Sequence, residues 1–517
     1  MNKEIKELLN NLENWKENFE IKEYYNINTE ISKIINFQLK KDLNPLLELW
    51  NKKLEKEYFE LEHPENELVV TRAVKNIQFG MANFIFMIDK DNKYPWIFGQ
   101  CEGFIDLIIT KNNIYKTSLS NDGPIKSQIH KLIDINPNDI YYKGIKYGFL
   151  LSQTRPYHYF YDHLKYLNYF KQNKKTKKTI CYDKAFFELE NNIKDTKNKV
   201  FLFPSIIGFN QLRNDQITEL NKQMEKEVYN EAIKSLEEKV NKEELKNYDL
   251  ILWYGITGQK RSWLEQIEGF EQIINKLKQS FPKIKVYVDG MTASDGEIIE
   301  NKEDEEVYEK LKKPFENDEN INITSLIGQD YRTKICYCSI SDIFIANGGT
   351  GCMVPLKFCE KPGVLHSNTS LWTFGRIDTN LIKSTDNKNT FDSKIDEKTA
   401  SMAISYHIPW QYIYNLTAEV LEQIKDIKIN RLDVPDVKEI AEKYEKQEKE
   451  NIFNNIDKKI NANSKSPDIL RDVAVAFEQS GDIQTALKLM QKAQDLRPTG
   501  PFIKRKVIEY KEILSKK

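Results

Sequence analysis

Three stretches of the chain carry residue types that suit chemistry. The first is NGGTG, residues 347–351, three glycines in five positions directly after an apolar run. The protein has only 20 glycines in 517 residues, and glycine loses more freedom on folding than any other residue. A glycine turn that ends a strand and opens a helix lets a phosphate meet bare amides at the positive helix end. The same turn can serve packing alone. Asn347 and Thr350 add side-chain donors to Gly348, Gly349 and Gly351. The pattern is neither the dinucleotide-binding G-x-G-x-x-G nor the P-loop, which disfavours nicotinamide cofactors and P-loop nucleotide hydrolysis. The second stretch, GITGQKR, places Thr257, Gly258, Lys260 and Arg261 between an apolar strand and an amphipathic helix. Two cations at a helix start oppose its dipole. An anionic ligand relieves that conflict; solvation of two exposed side chains is the simpler account. His366 ends the strand that follows NGGTG and falls at the same sheet end.

The third stretch is RPYHYFYDH, residues 155–163, which holds two of the six histidines. On a helix His158 and Asp162 share a face. A carboxylate beside an imidazole orients it and raises its basicity, as a general base requires. Arg155 and His163 flank the pair, and the aromatics between them suit the C–H faces of a sugar. An amphipathic helix with Tyr157, Phe160, Tyr161 and Leu164 in a core fits the same residues. Asp89-Lys90-Asp91 reads as a hairpin turn rather than a metal site. The acidic run Glu303–Glu306 reads as a solvated loop, and Cys336 and Cys338 as alternating strand residues.

The elements that must position these groups follow from composition and periodicity. The length suggests two to four domains at about 100–200 residues each. Lys plus Arg is 77 and Asp plus Glu is 78, a balance that gives no support for nucleic-acid binding. The first residues are charged, with no apolar core of a secretory signal, and six scattered cysteines read as reduced thiols. A cytoplasmic protein is expected, with a peripheral place at the inner membrane as an option. Residues 1–75 read as helices. Short apolar runs follow in 76–245, a first α/β domain. Residues 246–430 alternate strand and helix, the order of a parallel sheet covered by helices, and Ser262…Glu265 has the form of a capping box at a helix start. In 431–517, positions 467–498 match the spacing of one tetratricopeptide unit, from Leu470 and Ala474 to Ala493 and Pro498. A single unit cannot bury its own face, so the helix 500–515 is expected to cap it.

Strand 249–254, loop GITGQKR, strand 285–288 and the segment SDIFIANGGTGCMVPLKFCEKPGVLHSN together resemble bacterial glycosyltransferases of the GT-B type, including the donor domain of heptosyltransferase-like enzymes. RPYHYFYDH is similar to a motif of capsule and protein-glycan transferases. The resemblance implies two Rossmann-like domains facing a cleft. It implies transfer of a sugar from a nucleotide-diphospho-sugar to a hydroxyl on a glycan or protein, with no metal and no separate cofactor. The acceptor side comes from 76–245, with His158 and Asp162 catalytic and Arg155 and His163 binding. The donor side comes from 246–430, with Thr257, Gly258, Lys260, Arg261, Asn347, Gly348, Gly349, Thr350, Gly351 and His366 binding. The C-terminal helices offer a surface for a protein partner or self-association. Two rivals stand beside this: a metal-dependent phospho-group transferase acting on surface polysaccharide, and a non-enzymatic tetratricopeptide scaffold.

Overall fold

The computed structural model describes residues 3–14, 21–24, 29–117, 129–142, 145–172, 178–189, 199–208, 215–258, 260–394, 403–447, 466–479 and 481–515. Helices Lys3–Asn14, Glu30–Lys40 and Leu43–Leu54 open the chain, as the periodicity predicts. Strands begin earlier than expected, before residue 75. A seven-stranded sheet contains β1 (Ile21–Glu23), β2 (Glu60–His63), β3 (Asn66–Phe79), β4 (Ala82–Asp89), β5 (Trp96–Gln100), β6 (Leu107–Ile109) and β7 (Ile114–Lys116). From β2 to β7 the pairing is antiparallel throughout. The cause is local: tight turns join these strands, and a tight turn permits only antiparallel neighbours. Asp89 makes one such turn, accepting from the amides of Asp91, Lys93 and Tyr94.

The parallel part of the first half is small. β8 (Lys146–Leu151) lies between β9 (Ile180–Tyr182) and β10 (Lys199–Leu202), both parallel to it. The first half is therefore a meander joined to a three-stranded parallel sheet, not the full Rossmann-like domain the sequence predicts. Side-chain amides from the meander cover the outer edge of β10. Asn83 donates to the Phe201 carbonyl, Asn76 accepts from its amide, and Gln100 accepts from the amide of Phe203. An open strand edge is otherwise a pairing hazard.

The second half builds the expected sheet. β11 (Leu250–Gly255), β12 (Ile284–Asp289), β13 (Ile321–Ser325), β14 (Ile343–Asn347), β15 (Gly363–His366) and β16 (Ile382–Ser384) are all parallel. Their order is β13-β12-β11-β14-β15-β16, the Rossmann order. A short antiparallel pair, β17 (Phe391–Asp392) and β18 (Tyr406–His407), follows. The acidic run is no loop. It opens the helix Lys302–Lys312, with Asp304 buried. Cys336 and Cys338 lie on the helix Tyr331–Ser339 rather than on a strand.

One apolar core spans both halves, from Trp50 and Phe104 through Phe160 to Phe344 and Met353. Helices Pro467–Gln479 and Ile483–Leu496 form a hairpin at the end of the chain. Ile503, Val507 and Tyr510 of the last helix, Pro501–Ser515, complete its core with Leu470, Met490 and Ala493. Among the described residues no helix is long and apolar enough to cross a membrane.

Candidate functional site

In an open parallel sheet ligands bind outside the carboxyl ends of the strands, where the strand order reverses. The large sheet reverses between β11 and β14, and the small one between β8 and β10. The predicted residues fall at these two crevices.

At the large crevice, GITGQKR follows β11 and NGGTG follows β14. The loops meet: Asn347 Nδ2 donates to the Arg261 carbonyl at 3.2 Å. Arg261 holds a left-handed backbone, φ 62°, a conformation that costs a non-glycine residue energy and clusters at functional sites. Lys260 is exposed and Arg261 half-buried, and among the described residues neither has an ion-pair partner. Gly258 is fixed from behind. Its amide donates to Asp304 Oδ1 at 2.7 Å, and a Cβ there would lie 2.5 Å from the Glu303 backbone. Asp304 also accepts from Met291, so one buried carboxylate ties the loops after β11 and β12. The Thr257 hydroxyl stays within its own loop, against Ser262.

The glycines of NGGTG divide by role. The Gly348 amide donates to the His366 carbonyl and the Gly349 amide to Asn347 Oδ1, both at 2.7 Å. A Cβ on Gly348 would lie 3.0 Å from the Trp372 ring. These two positions serve packing, and their amides are spent within the turn. Thr350 and Gly351 are exposed, and a Cβ on Gly351 would meet nothing within 4 Å. They open the short helical turns Thr350–Cys352 and Met353–Phe358. Thr350 and Gly351 are therefore the open half of the turn.

His366 ends β15 within the protein interior. It is buried, with Nδ1 2.8 Å from the Tyr406 hydroxyl and its ring against Trp263. Burial pushes the imidazole down to about 3, so it is a neutral structural group. Tyr406 also accepts from Asn347 at 2.8 Å, which makes it the hub behind both loops. The expected capping box does not form. The helix starts at Gln266; the Glu265 carboxylate instead meets His407 Nδ1 at 2.5 Å, and Ser262 donates to the Thr257 carbonyl. Trp263 leaves the helix for a cavity that Gly269 clears for it.

At the small crevice, one helix runs on through Pro156–His158, Tyr159–Leu164 and Lys165–Gln172, its middle π-wound. The pair forms as predicted: His158 Nδ1 lies 2.6 Å from Asp162 Oδ2, with Asp162 buried and His158 partly exposed. Burial pulls the His158 imidazole down. The hydrogen bond and charge of Asp162, with the charge of Glu102, outweigh it and leave the group above its usual value. Arg155 is exposed at the helix start. His163 is buried against Phe203 at 4.3 Å, and burial pushes it down to about 4. Lys165, also buried, is lowered to about 8 by burial against the charge of Asp162.

The two crevices are neighbours. Phe160 of the first π-wound segment meets Phe358 of the second at 4.9 Å between ring centroids. Phe374 touches Tyr157 and Tyr161, while the Thr373 amide donates to the Gly348 carbonyl at 2.9 Å. The loop carrying Trp372 and Phe374 thus spans from the glycine turn to the His158 helix. Single-turn π segments recur at functional sites, and here two meet through this ring pair.

Sequence reasoning missed Glu102, Asp304, Trp372 and Tyr406. None stands in a local pattern; each acquires its place through contacts distant in the chain. No family model matches this chain, and no curated protein does. Solved structures that match include an S. aureus MnaA–UDP co-structure, at 10% identity, 42% of this chain, 55% of that chain and TM-score 0.20. Another, described as a "putative UDP-N-acetylglucosamine 2-epimerase" from Listeria monocytogenes, matches at 14% identity, the same coverages and TM-score 0.19. The chain spans about half the length of these structures, 55%, and a likeness this slight carries no argument about activity.

Proposed function

We propose that the protein is a glycosyltransferase that moves a sugar from a nucleotide-diphospho-sugar to a hydroxyl of a glycan or protein. The juxtaposition of the two crevices carries this reading. One offers unpaired cations and open amides; the other, in contact through the Trp372–Phe374 loop, offers an ionisable pair. The donor diphosphate lies between Lys260, Arg261 and the amides of Thr350 and Gly351. The acceptor enters at Arg155 and His158. Its hydroxyl gives up a proton, its oxygen bonds to the anomeric carbon, and the bond from that carbon to the diphosphate breaks. The electron pair leaves on the diphosphate, whose added charge the two cations stabilise.

Melting curves of the full chain against a panel of nucleoside diphosphates and nucleotide sugars, with and without divalent metal, test the reading. Stabilisation by a nucleotide diphosphate without metal, followed by sugar transfer, is expected. Stabilisation only with metal turns the assignment to a phospho-group transferase, and no shift with any nucleotide overturns it.

A further inference from the structure

We propose that Glu102, not His158, is the base that takes the acceptor proton, and that His158 is a charged hydrogen-bond donor beside it. The proposal rests on the transferase reading above and names the proton acceptor within it.

The geometry begins with Asp106. Its buried Oδ2 accepts from the amides of Cys101 at 2.7 Å, Glu102 at 3.0 Å and Gly103 at 3.0 Å. Three donors converging on one carboxylate lock the turn after β5. The loop after β10 is strapped over it: Ser205 donates to the Gly103 carbonyl at 2.9 Å and Phe104 donates to the Ile206 carbonyl at 3.0 Å. The Glu102 backbone is therefore rigid, and its side chain leaves a fixed point at the β8/β10 reversal. Gly208 makes the room, since a Cβ there would lie 3.0 Å from Glu102 Oε2. The Glu102 carboxyl is half-buried and, among the described residues, has neither an ion-pair nor a hydrogen-bond partner. His158 is differently placed. Its Nδ1 is committed to Asp162, which holds the ring and favours its charged form. A charged imidazole has no lone pair for a proton; a free carboxylate has.

The charges that face Glu102 fit this division. Burial raises its carboxyl, and the charge of Asp162 raises it further; His158 lowers it, Asp106 raises it and Arg155 lowers it, leaving it at about 7. A base works best when it titrates near the working pH. In the step itself, a Glu102 oxygen takes the hydroxyl proton while His158 donates from Nε2 to the acceptor oxygen's neighbouring hydroxyl. The new bond to the anomeric carbon forms as the bond to the diphosphate breaks, and the proton rests on Glu102 until solvent removes it.

The test uses the full chain, with the donor and acceptor that support turnover, and pH profiles of kcat/KM for Glu102→Gln, Glu102→Ala and His158→Gln. The wild type should lose activity below about pH 7. Glu102→Gln should fall by about 10²–10⁴ and lose that limb, with nucleotide diphosphate affinity by calorimetry unchanged. Sodium formate should restore part of the turnover of Glu102→Ala, which a structural defect would not allow. His158→Gln should keep the limb and move it to higher pH, because removing a cation raises Glu102. If Glu102→Gln keeps both rate and limb, or the limb vanishes in His158→Gln instead, the proposal is overturned while the transferase reading stands. A wild-type chain that transfers no sugar from any donor overturns that reading itself.

Discussion

The two crevices are built on one principle and equipped for opposite tasks. At the β8/β10 reversal, ionisable side chains crowd together: Glu102, Asp106, His158, His163 and Lys165 all feel the charge of Asp162. At the β11/β14 reversal the ionisable groups are tied up apart from one another, as Asp304 by two loop amides and Glu265 by His407, neutralised by burial, as in His366, or left on the surface, as in Lys260. Besides the Asp304 carboxylate, hydrogen bonds from neutral groups hold that crevice: Asn347, Tyr406, Ser262 and backbone amides. On the proposed reading, the first arrangement moves protons and the second presents fixed positive charge. A topological rule places a site; only the side chains decide its chemistry.

The contrast can be broken most sharply at Asp162. Asp162→Asn should cut turnover by about 10²–10⁴, because the His158 ring beside the base loses the carboxylate that holds its orientation and charge, and leave nucleotide diphosphate affinity unchanged by calorimetry. An equal loss of affinity would mean that the crevices do not divide the work. Next in size is the double substitution Lys260→Ala with Arg261→Ala. It should lower turnover by about tenfold or more and weaken diphosphate binding, with melting unchanged. Normal turnover would make the loop a solvated helix approach and nothing more.

Smaller effects separate the glycines. Gly351→Val should weaken diphosphate binding on a chain that melts normally, because the added side chain meets only open space. Gly348→Val should instead lower melting, at about 1–3 kcal/mol for overpacking, because it strikes Trp372. If both behave alike, the division of the turn into a packing half and a binding half is wrong.

The smallest effect is on stability against pH. His366 and His163 stay neutral in the fold to about 3 and about 4, against 6.5 ordinarily. Between those limits the unfolded chain binds more protons, so stability falls as pH falls from about 7 towards 4. The variant His366→Asn should show a smaller loss of melting temperature between pH 7 and pH 5 than the wild type. An unchanged drop would remove His366 from the account.

The large sheet was legible in the sequence because its strands are buried runs separated by helices with clear apolar faces. The apolar run at 249–254 becomes β11, and Gly363–His366 becomes β15 without change. His158 and Asp162 were legible because helical spacing alone joins them. The meander is legible only in part: its strands and the hairpin turn at Asp89 stand in the sequence, but the antiparallel pairing of the rest is set by turns rather than by composition. Glu102 was hidden because what makes it unusual comes from Asp106 on its own turn, Gly208 on a distant loop and Asp162 on a helix. Ser262…Glu265 shows the reverse failure. A good local pattern lost to His407, which takes the carboxylate for a buried pair.

The contact between Gly258 and Asp304 has a bearing on how such a chain can vary over generations. The loop amide reaches a carboxylate one helix away, and the helix backbone leaves no space for any side chain at the loop position. Neither residue can drift alone. A lineage that replaces the glycine must first carry the helix start outwards, and one that loses the aspartate frees two loops at once. Descendants of this protein should therefore inherit the pair or lose it together, whatever becomes of the cations between.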